Sequence, residues 1–352
     1  MSMNPITIAS DFSSLGSAAA KITPSKRALI VTHAYLKRLY GPAVQKSLSR
    51  AGVHSDFHLI APGEKTKNLR TVEGIYRACV RSGLDRGSCL IILGGGVVGD
   101  TGGFAAATFL RGIPLIQIPT TLLAMVDSSI GGKTGVDLKE AKNYVGAFHQ
   151  SSWVWINLET LKTLPQNEFV NGMAEVIKYG VIADAKLFET LEASVPIPKF
   201  PAQETLSRVI ETCAALKINV VKRDEKETSG LREILNFGHT WGHAIETFGS
   251  YHTYSHGQAI SIGMCAAGFM AVKLGLWKSE ELTRMENLLS RAGLPVKLTR
   301  RMPSSPLFNI LLRDKKIRQA QPRFILPVKI GKVIAKEVSR IQALEGLKYV
   351  QP

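Results

Sequence analysis

The stretch CLIILGGGVVGDTGGFAAATFL, residues 89–110, decides how this chain reads. Its first five residues form an apolar run suited to a buried strand. The run leads straight into Gly94, Gly96 and Gly99, which satisfy G-x-G-x-x-G, and then into a helix of small residues, GGFAAATFL. Glycine lets backbone N–H groups come close to a phosphate, and a helix N-terminus adds partial positive charge. Strand, glycines and helix in that order point to nucleotide phosphates. The loop departs from the ordinary dinucleotide fingerprint, because the acidic residue expected about 20 positions on is missing and Asp100 lies inside the loop instead.

Outward from this loop, strands and helices alternate. ALIVT, 28–32, reads as a strand, and 35–52 has helical spacing closed by Gly52. SDFHLIA, 55–61, reads as a strand, 68–82 as a helix closed by Gly83, and PLIQIPTT, 114–121, as another strand. This alternation predicts a doubly wound, Rossmann-like parallel sheet. In such sheets ligands bind beyond the carboxyl ends of the strands, which puts PGEKTK (62–67) and PTT (119–121) beside the nucleotide. The polar run DSSIGGKTGVDLKEAKN, 127–143, carries Asp127, Lys133, Lys142 and Asn143 around a Gly131–Gly132 turn. Lysines beside glycine turns suit a small anion, so the run reads as a binding loop. VWINLETLKTL closes this half, and we set the domain boundary at 157/158.

From 158 to 352 the pattern is helical: 168–180, 184–194, 203–226, 232–248, 257–275 and 279–292, with a PIPKFP loop at 196–201. RFILPV and KVIAKEV, around Lys329-Ile330-Gly331, predict a small hairpin near the end. The most informative segment is GLREILNFGHTWGHAIETF. On one continuous helix Arg232, Asn236, His239 and His243 recur at i, i+4, i+7 and i+11, along one face. His239 and His243 are then an i, i+4 pair able to chelate zinc, with His256 opening the next helix and Glu175 as a carboxylate candidate one turn before Lys178. There is no HExxH, so a metalloprotease is excluded.

A length of 352 residues suits two domains, and 45% hydrophobic with 20% charged content is globular. No apolar run reaches the ~18 residues of a membrane helix. The opening MSMNPITIASDFSS lacks a basic, apolar leader, so a cytoplasmic location is expected. Cys79, Cys89, Cys213 and Cys265 form no CxxC pair, which excludes a disulfide framework and a thiolate zinc site. The net charge is +16, and from Lys297 onward 13 Lys/Arg face three Asp/Glu. No stacking aromatics or nucleic-acid motifs interleave with them, so they read as a solvated basic surface with a subset facing a phosphate, and no nucleic-acid partner is expected.

GGGVVGD, RGIPLIQIPTTLLAMVDSSIGGKTGV, the Lys142-Asn143 pair, AEVIKYG and LNFGHTWGHAIE together resemble the 3-dehydroquinate synthases, of the sugar phosphate cyclases, over nearly the whole chain. The resemblance implies an N-terminal NAD-binding domain and a C-terminal helical domain. It implies conversion of 3-deoxy-D-arabino-heptulosonate 7-phosphate to 3-dehydroquinate and phosphate in the shikimate pathway of aromatic amino-acid biosynthesis. The route is transient NAD oxidation, phosphate elimination, re-reduction and aldol closure, with zinc or cobalt. It splits the histidine pair: Glu175, His239 and His256 become the metal ligands, and His243 a substrate or proton-transfer residue. Substrate contacts fall to Asp127, Lys133, Asn143, Lys178, Lys217, Glu227, Arg232 and Asn236, to Lys315 or Lys316, and to Arg111, which a neighbouring subunit of a homodimer would supply. NAD contacts fall to Glu64, Lys67, Gly95, Gly96, Val97, Gly99, Asp100, Thr120, Thr121, Asp127, Lys142 and Thr163.

The chain departs from the family pattern at four places. Gln258 stands where HGE is usual, Thr32-His33-Ala34 replaces a common ribose-contacting segment, GAFHQS replaces GAFYQP, and one extra residue lies between Glu227 and Arg232. The alternative readings are a 2-deoxy-scyllo-inosose or valiolone synthase, against which Lys142-Asn143 and the Arg232/Asn236 pair favour a carboxylate-bearing substrate. A glycerol-dehydrogenase-like enzyme usually has Asp at the Glu175 position and lacks GGKTG.

Overall fold

A computed structural model describes residues 5–194, 203–249, 253–312 and 322–352. The chain divides into two units, Met1–Pro165 and Gln166–Pro352.

In the first unit the order is β1 (Ile6–Ala9), α1 (Leu15–Ile22), β2 (Arg27–Thr32), α2 (Ala34–Arg50), β3 (His54–Leu59), α3 (Leu69–Arg81), β4 (Cys89–Gly94), α4 (Gly96–Thr108), β5 (Leu115–Pro119), β6 (Lys133–Val136), β7 (Val145–Phe148) and β8 (Trp153–Asn157). Six strands form one sheet in the order β1-β8-β5-β4-β2-β3, every pair parallel. Alternate residues of one strand feed two separate cores. Leu90 and Ile92 of β4 pack with Val72, Ile75 and Ala105 on one face, while Cys89, Ile91 and Leu93 pack with Leu15, Val44 and Leu48 on the other. A strand covered on both faces must be apolar throughout, which is why CLIIL carries no alternation. β6 and β7 pair antiparallel in a separate two-stranded ribbon, so part of the run expected to be a loop is strand. The pair β1 and α1 was not marked by the sequence pattern either.

The second unit contains α5 (Gln166–Ala183), α6 (Ala185–Ser194), α7 (Gln203–Arg223), α8 (His239–Phe248), α9 (His256–Lys273), α10 (Ser279–Arg291), α11 (Ser304–Leu312), β9 (Arg323–Lys329), β10 (Lys332–Glu337) and α12 (Arg340–Tyr349). α9 is buried along almost its whole length and is the central helix of this unit. β9 and β10 form the expected antiparallel hairpin, with Gly331 at φ 87° in its turn. α11 and α12 are additional to the expected elements. No helix among the described residues is long and apolar enough to cross a membrane.

Candidate functional site

In the first unit the chain leaves β2 toward β3 on one side and leaves β4 toward β5 on the other. The carboxyl ends of β2 and β4 therefore flank a topological switch point, where open α/β sheets bind ligands. Gly95 is the N-cap of α4 and no side chain caps the helix there, so its first-turn N–H groups face outward for an anion. The helix begins at Gly96, inside the glycine motif, earlier than its small-residue run suggested. The Thr120 N–H donates to the Gly94 carbonyl at 3.1 Å, bringing the PTT segment against the loop.

Around this loop the structure gathers several of the expected residues. Lys67 Nζ donates to Asp100 Oδ2 and to Asn143 Oδ1, each at 2.6 Å. Burial opposes the Lys67 charge, but Asp100, Glu64 and Asp137 outweigh it and raise the ammonium above its usual range. Lys142 pairs with Glu64 at 2.8 Å. Asp137, which sequence reasoning passed over, accepts the Asn143 N–H at 2.8 Å and holds that residue at φ 53°. Asp127 lies in a π-helical turn, Ala124–Ser128, a rare geometry frequent at functional sites.

Two further expected residues belong to this unit. Thr163, after β8, is hydrogen-bonded to the Tyr40 hydroxyl of α2. Arg111 follows the C-terminal end of α4, so about 20 Å of helix separates it from the glycine loop. Leu110, Arg111 and Gly112 all have positive φ, at 49°, 69° and 115°. At the altered segment near residue 33, the Thr32 hydroxyl donates to the Leu93 carbonyl at 2.7 Å, and His33 Nδ1 lies 3.0 Å from the Ile60 carbonyl.

In the second unit Glu175, His239 and His256 bring one ligand atom each within 4.8 Å of one another. Glu175 is fully buried on α5. Its Oε1 is 3.5 Å from His239 Nε2 and 3.3 Å from His256 Nε2, and its Oε2 is ion-paired with Lys178. Lys178 Nζ also donates to the Leu235 carbonyl at 2.8 Å. The far nitrogens of both rings are held as well: His239 Nδ1 lies 3.1 Å from the Phe237 carbonyl, and His256 Nδ1 lies 3.6 Å from Glu246 Oε2. Two imidazoles and a carboxylate converging, each ring backed by an oxygen, are the donor set of a catalytic divalent-metal centre with an open position. The residues present thus fit a metal.

Burial works against the Glu175 charge, but Lys178 and His256 bring the carboxyl down to about 2. Burial and the Lys178 charge push His239 well below its usual value, leaving the neutral form that ligates metals. Burial alone would lower His256 too, but Glu175 and Glu246 raise it to about 10.

The single helical stripe expected for Arg232, Asn236, His239 and His243 is not what the chain forms. A 3-10 turn, Leu231–Asn236, is separated from α8 by Phe237 and by Gly238 at φ 79°. A Cβ at Gly238 would lie 2.6 Å from Met264 Cγ and 2.8 Å from the Ile260 carbonyl, so this glycine permits both the left-handed turn and close packing on α9. The break leaves His239 and His243 on one helix, with ring centroids 5.2 Å apart and 5.5 Å from His239 to His256. Lys217 and Arg232 are buried, and Glu227 has φ 59°. Lys315, Lys316 and the PIPKFP loop lie outside the described residues.

The sequence reading passed over Asp224 and Glu246. Glu246 had a signal: it is i+7 from His239, one helical face on. Gln258 accepts the Ser255 N–H at 2.9 Å in a capping box, so this side chain serves the start of α9.

Profiles described as 3-dehydroquinate synthase N-terminal and 3-dehydroquinate synthase C-terminal match residues 57–171 and 172–317. The chain belongs to the 3-dehydroquinate synthase family. A 3-dehydroquinate synthase of Thermosynechococcus vestitus is 48% identical over 314 residues, covering 88% of this chain and 84% of that one. Another, of a Picosynechococcus species, is 47% identical over 311 residues, 88% and 85% of the two chains. Among solved structures, a 2-epi-5-epi-valiolone synthase of Streptomyces hygroscopicus with NAD+ and Zn2+ bound superposes with a TM-score of 0.89 at 27% identity, over 99% of this chain and 97% of that one. The 3-dehydroquinate synthase family is thus the closer match in sequence, and the wider cyclase fold is shared.

Proposed function

We propose that this chain converts 3-deoxy-D-arabino-heptulosonate 7-phosphate to 3-dehydroquinate and phosphate, using NAD and a divalent metal, zinc or cobalt. The observation that carries the reading is the convergence of Glu175, His239 and His256 in a chain 48% identical to a 3-dehydroquinate synthase over 88% of its length. When bound, NAD supplies a reversible hydride acceptor and the metal a Lewis acid for the hydroxyl being oxidised.

The chain's own residues bind, orient and shuttle protons. The residues up to 157 form the NAD domain and those from 158 the metal and substrate domain. Glu175, His239 and His256 hold the metal, with Glu246 and the Phe237 carbonyl setting the two rings. The α4 N-terminus and Gly95 to Asp100 take the pyrophosphate, helped by Glu64, Lys67, Thr120, Thr121, Asp127, Lys142 and Thr163. Lys133, Asn143, Lys178, Lys217, Arg232 and Asn236 bind the substrate's hydroxyls and anionic groups, with Glu227 supporting them. Lys315 or Lys316 adds a cation, and His243 moves a proton beside the metal. The substrate loses phosphate between oxidation and re-reduction and then closes by an aldol step, so the residues' main task is to keep one geometry throughout.

A homodimer accounts for Arg111. Its distance along α4 from the glycine loop suits a side chain that serves a neighbouring copy's phosphate site. A cytoplasmic setting fits the four cysteines, all free and buried. The test is phosphate release from three substrates. Turnover of the heptulosonate phosphate is expected, and turnover of only sedoheptulose 7-phosphate or glucose 6-phosphate would place the chain with the other cyclases.

A further inference from the structure

Asp224 directly follows the last residue of α7, Arg223, and is 4% exposed. A carboxylate is the wrong charge for a helix C-terminus, where the dipole favours cations. Burying an anion there is costly unless its oxygens are met. They are met by backbone N–H groups of the loop that follows: Thr228 at 2.8 Å and Ser229 at 3.1 Å on Oδ1, and Arg232 at 3.1 Å on Oδ2. Burial opposes ionisation, but the N–H groups of Ser229, Arg232 and Thr228 outweigh it and bring the carboxyl down to about 2. The side chain is therefore charged at neutral pH, with both oxygens accepting. The loop it closes contains two left-handed residues, Glu227 at φ 59° and Gly230 at φ 81°. Arg232 is 2% exposed, and its Nη1 donates to the Glu225 carbonyl at 2.8 Å, inside the same loop.

We propose that Asp224 is a positioning residue for the substrate site, its Oδ2 fixing the backbone of Arg232 and thereby the place where the guanidinium meets a substrate anion. The inference rests on the substrate role proposed for Arg232. One carboxylate spans residues 228 to 232, so the loop delivers Arg232 from a fixed anchor. Asparagine separates the two oxygens' roles. Its single oxygen can keep the Thr228 and Ser229 bonds, but its NH2 then faces the Arg232 N–H, donor against donor.

The test is steady-state kinetics of Asp224→Asn beside Arg232→Ala, with 3-deoxy-D-arabino-heptulosonate 7-phosphate as the varied substrate and bound metal measured on the same samples. Asp224→Asn is expected to raise the KM for the sugar phosphate about tenfold, the order of one hydrogen bond to a charged group, with kcat, the KM for NAD and metal content unchanged. If Arg232→Ala raises KM and Asp224→Asn does not, the inference is overturned while the site reading stands. If neither raises KM, the substrate role of Arg232 fails and the inference fails with it. Should Asp224→Asn not fold, amide exchange in the wild-type protein decides. An Arg232 N–H protected like those of Thr228 and Ser229 supports the anchor, and one exchanging at the open-chain rate overturns it.

Discussion

Two glycine turns, Gly94–Gly96 after β4 and Gly238 before α8, both admit close packing, but only Gly238 also needs a left-handed backbone. At Gly95 the backbone is ordinary, φ −85°, and the missing Cβ makes room for the Thr121 side chain, whose Cγ2 a Cβ would meet at 3.0 Å. At Gly238 the backbone is left-handed, and the missing Cβ lets a turn pack directly on α9. After the first turn no side chain caps α4, and its backbone N–H groups are the ones proposed to take an anion. The second serves folding, and it delivers side chains: His239 and His243 start α8 because the chain has turned there. A glycine in a functional motif is therefore not by itself a ligand contact; its φ and what lies where Cβ would be decide which.

The largest effect tests the side-chain half of that comparison. Glu175→Ala should lose bound metal and lower kcat/KM by about a thousandfold or more, since a whole Lewis-acid centre goes. It also leaves Lys178 buried without its carboxylate, costing about 3–5 kcal/mol of stability. Metal analysis with thermal melts checks both, and a variant retaining full metal and rate would sink the ligand assignment. Next come the two glycines. Gly238→Ala is expected to destabilise the fold by about 2–4 kcal/mol, from strain at positive φ plus a clash with α9. Gly95→Ala should leave the melting temperature nearly unchanged. Its Cβ would meet Thr121 Cγ2 at 3.0 Å and push aside that proposed NAD contact, so NAD affinity should fall about tenfold. If the two variants exchanged these phenotypes, the contrast would be wrong.

A smaller effect is expected at Glu246. Glu246→Gln keeps the shape but removes the charge behind His256, and metal affinity should fall about tenfold, read by chelator competition. The smallest concerns acid. Asp224 titrates at about 2 in the folded protein against its ordinary 3.8, a lowered value. It therefore contributes stability above pH 3.8 that fades as pH falls toward about 2. In urea melts the gap between wild type and Asp224→Asn should narrow over that window.

These contrasts also explain what the sequence disclosed. β2 to β5, α2 and α3 were legible because buried parallel strands and helices closed by a glycine carry clear local signals, and α4 because small residues follow the glycine loop directly. α5 and α9 are buried nearly all round, and their length rather than a polar face made them legible as helices. The stripe from Arg232 to His243 was misread because periodicity counts spacing and ignores φ: Gly238 looked like a tolerated glycine inside a helix. β6 and β7 have four residues each, and their pairing, Lys133 with Phe148 at one end, spans a polar stretch no local pattern marks. Asp224 escaped notice because its partners are backbone N–H groups, which sequence does not display. The meeting of Glu175 with His239 and His256 links residues 64 and 81 positions apart, and it entered the reading through family resemblance, since spacing alone had paired His239 with His243.

The central claim is that this protein performs NAD- and metal-dependent elimination of phosphate. Its most direct test is phosphate release from 3-deoxy-D-arabino-heptulosonate 7-phosphate by chelator-stripped protein, with NAD and Zn2+ or Co2+ returned singly and together. Release only when both are present is the predicted result. Sustained release without NAD, or without the metal, would contradict the account.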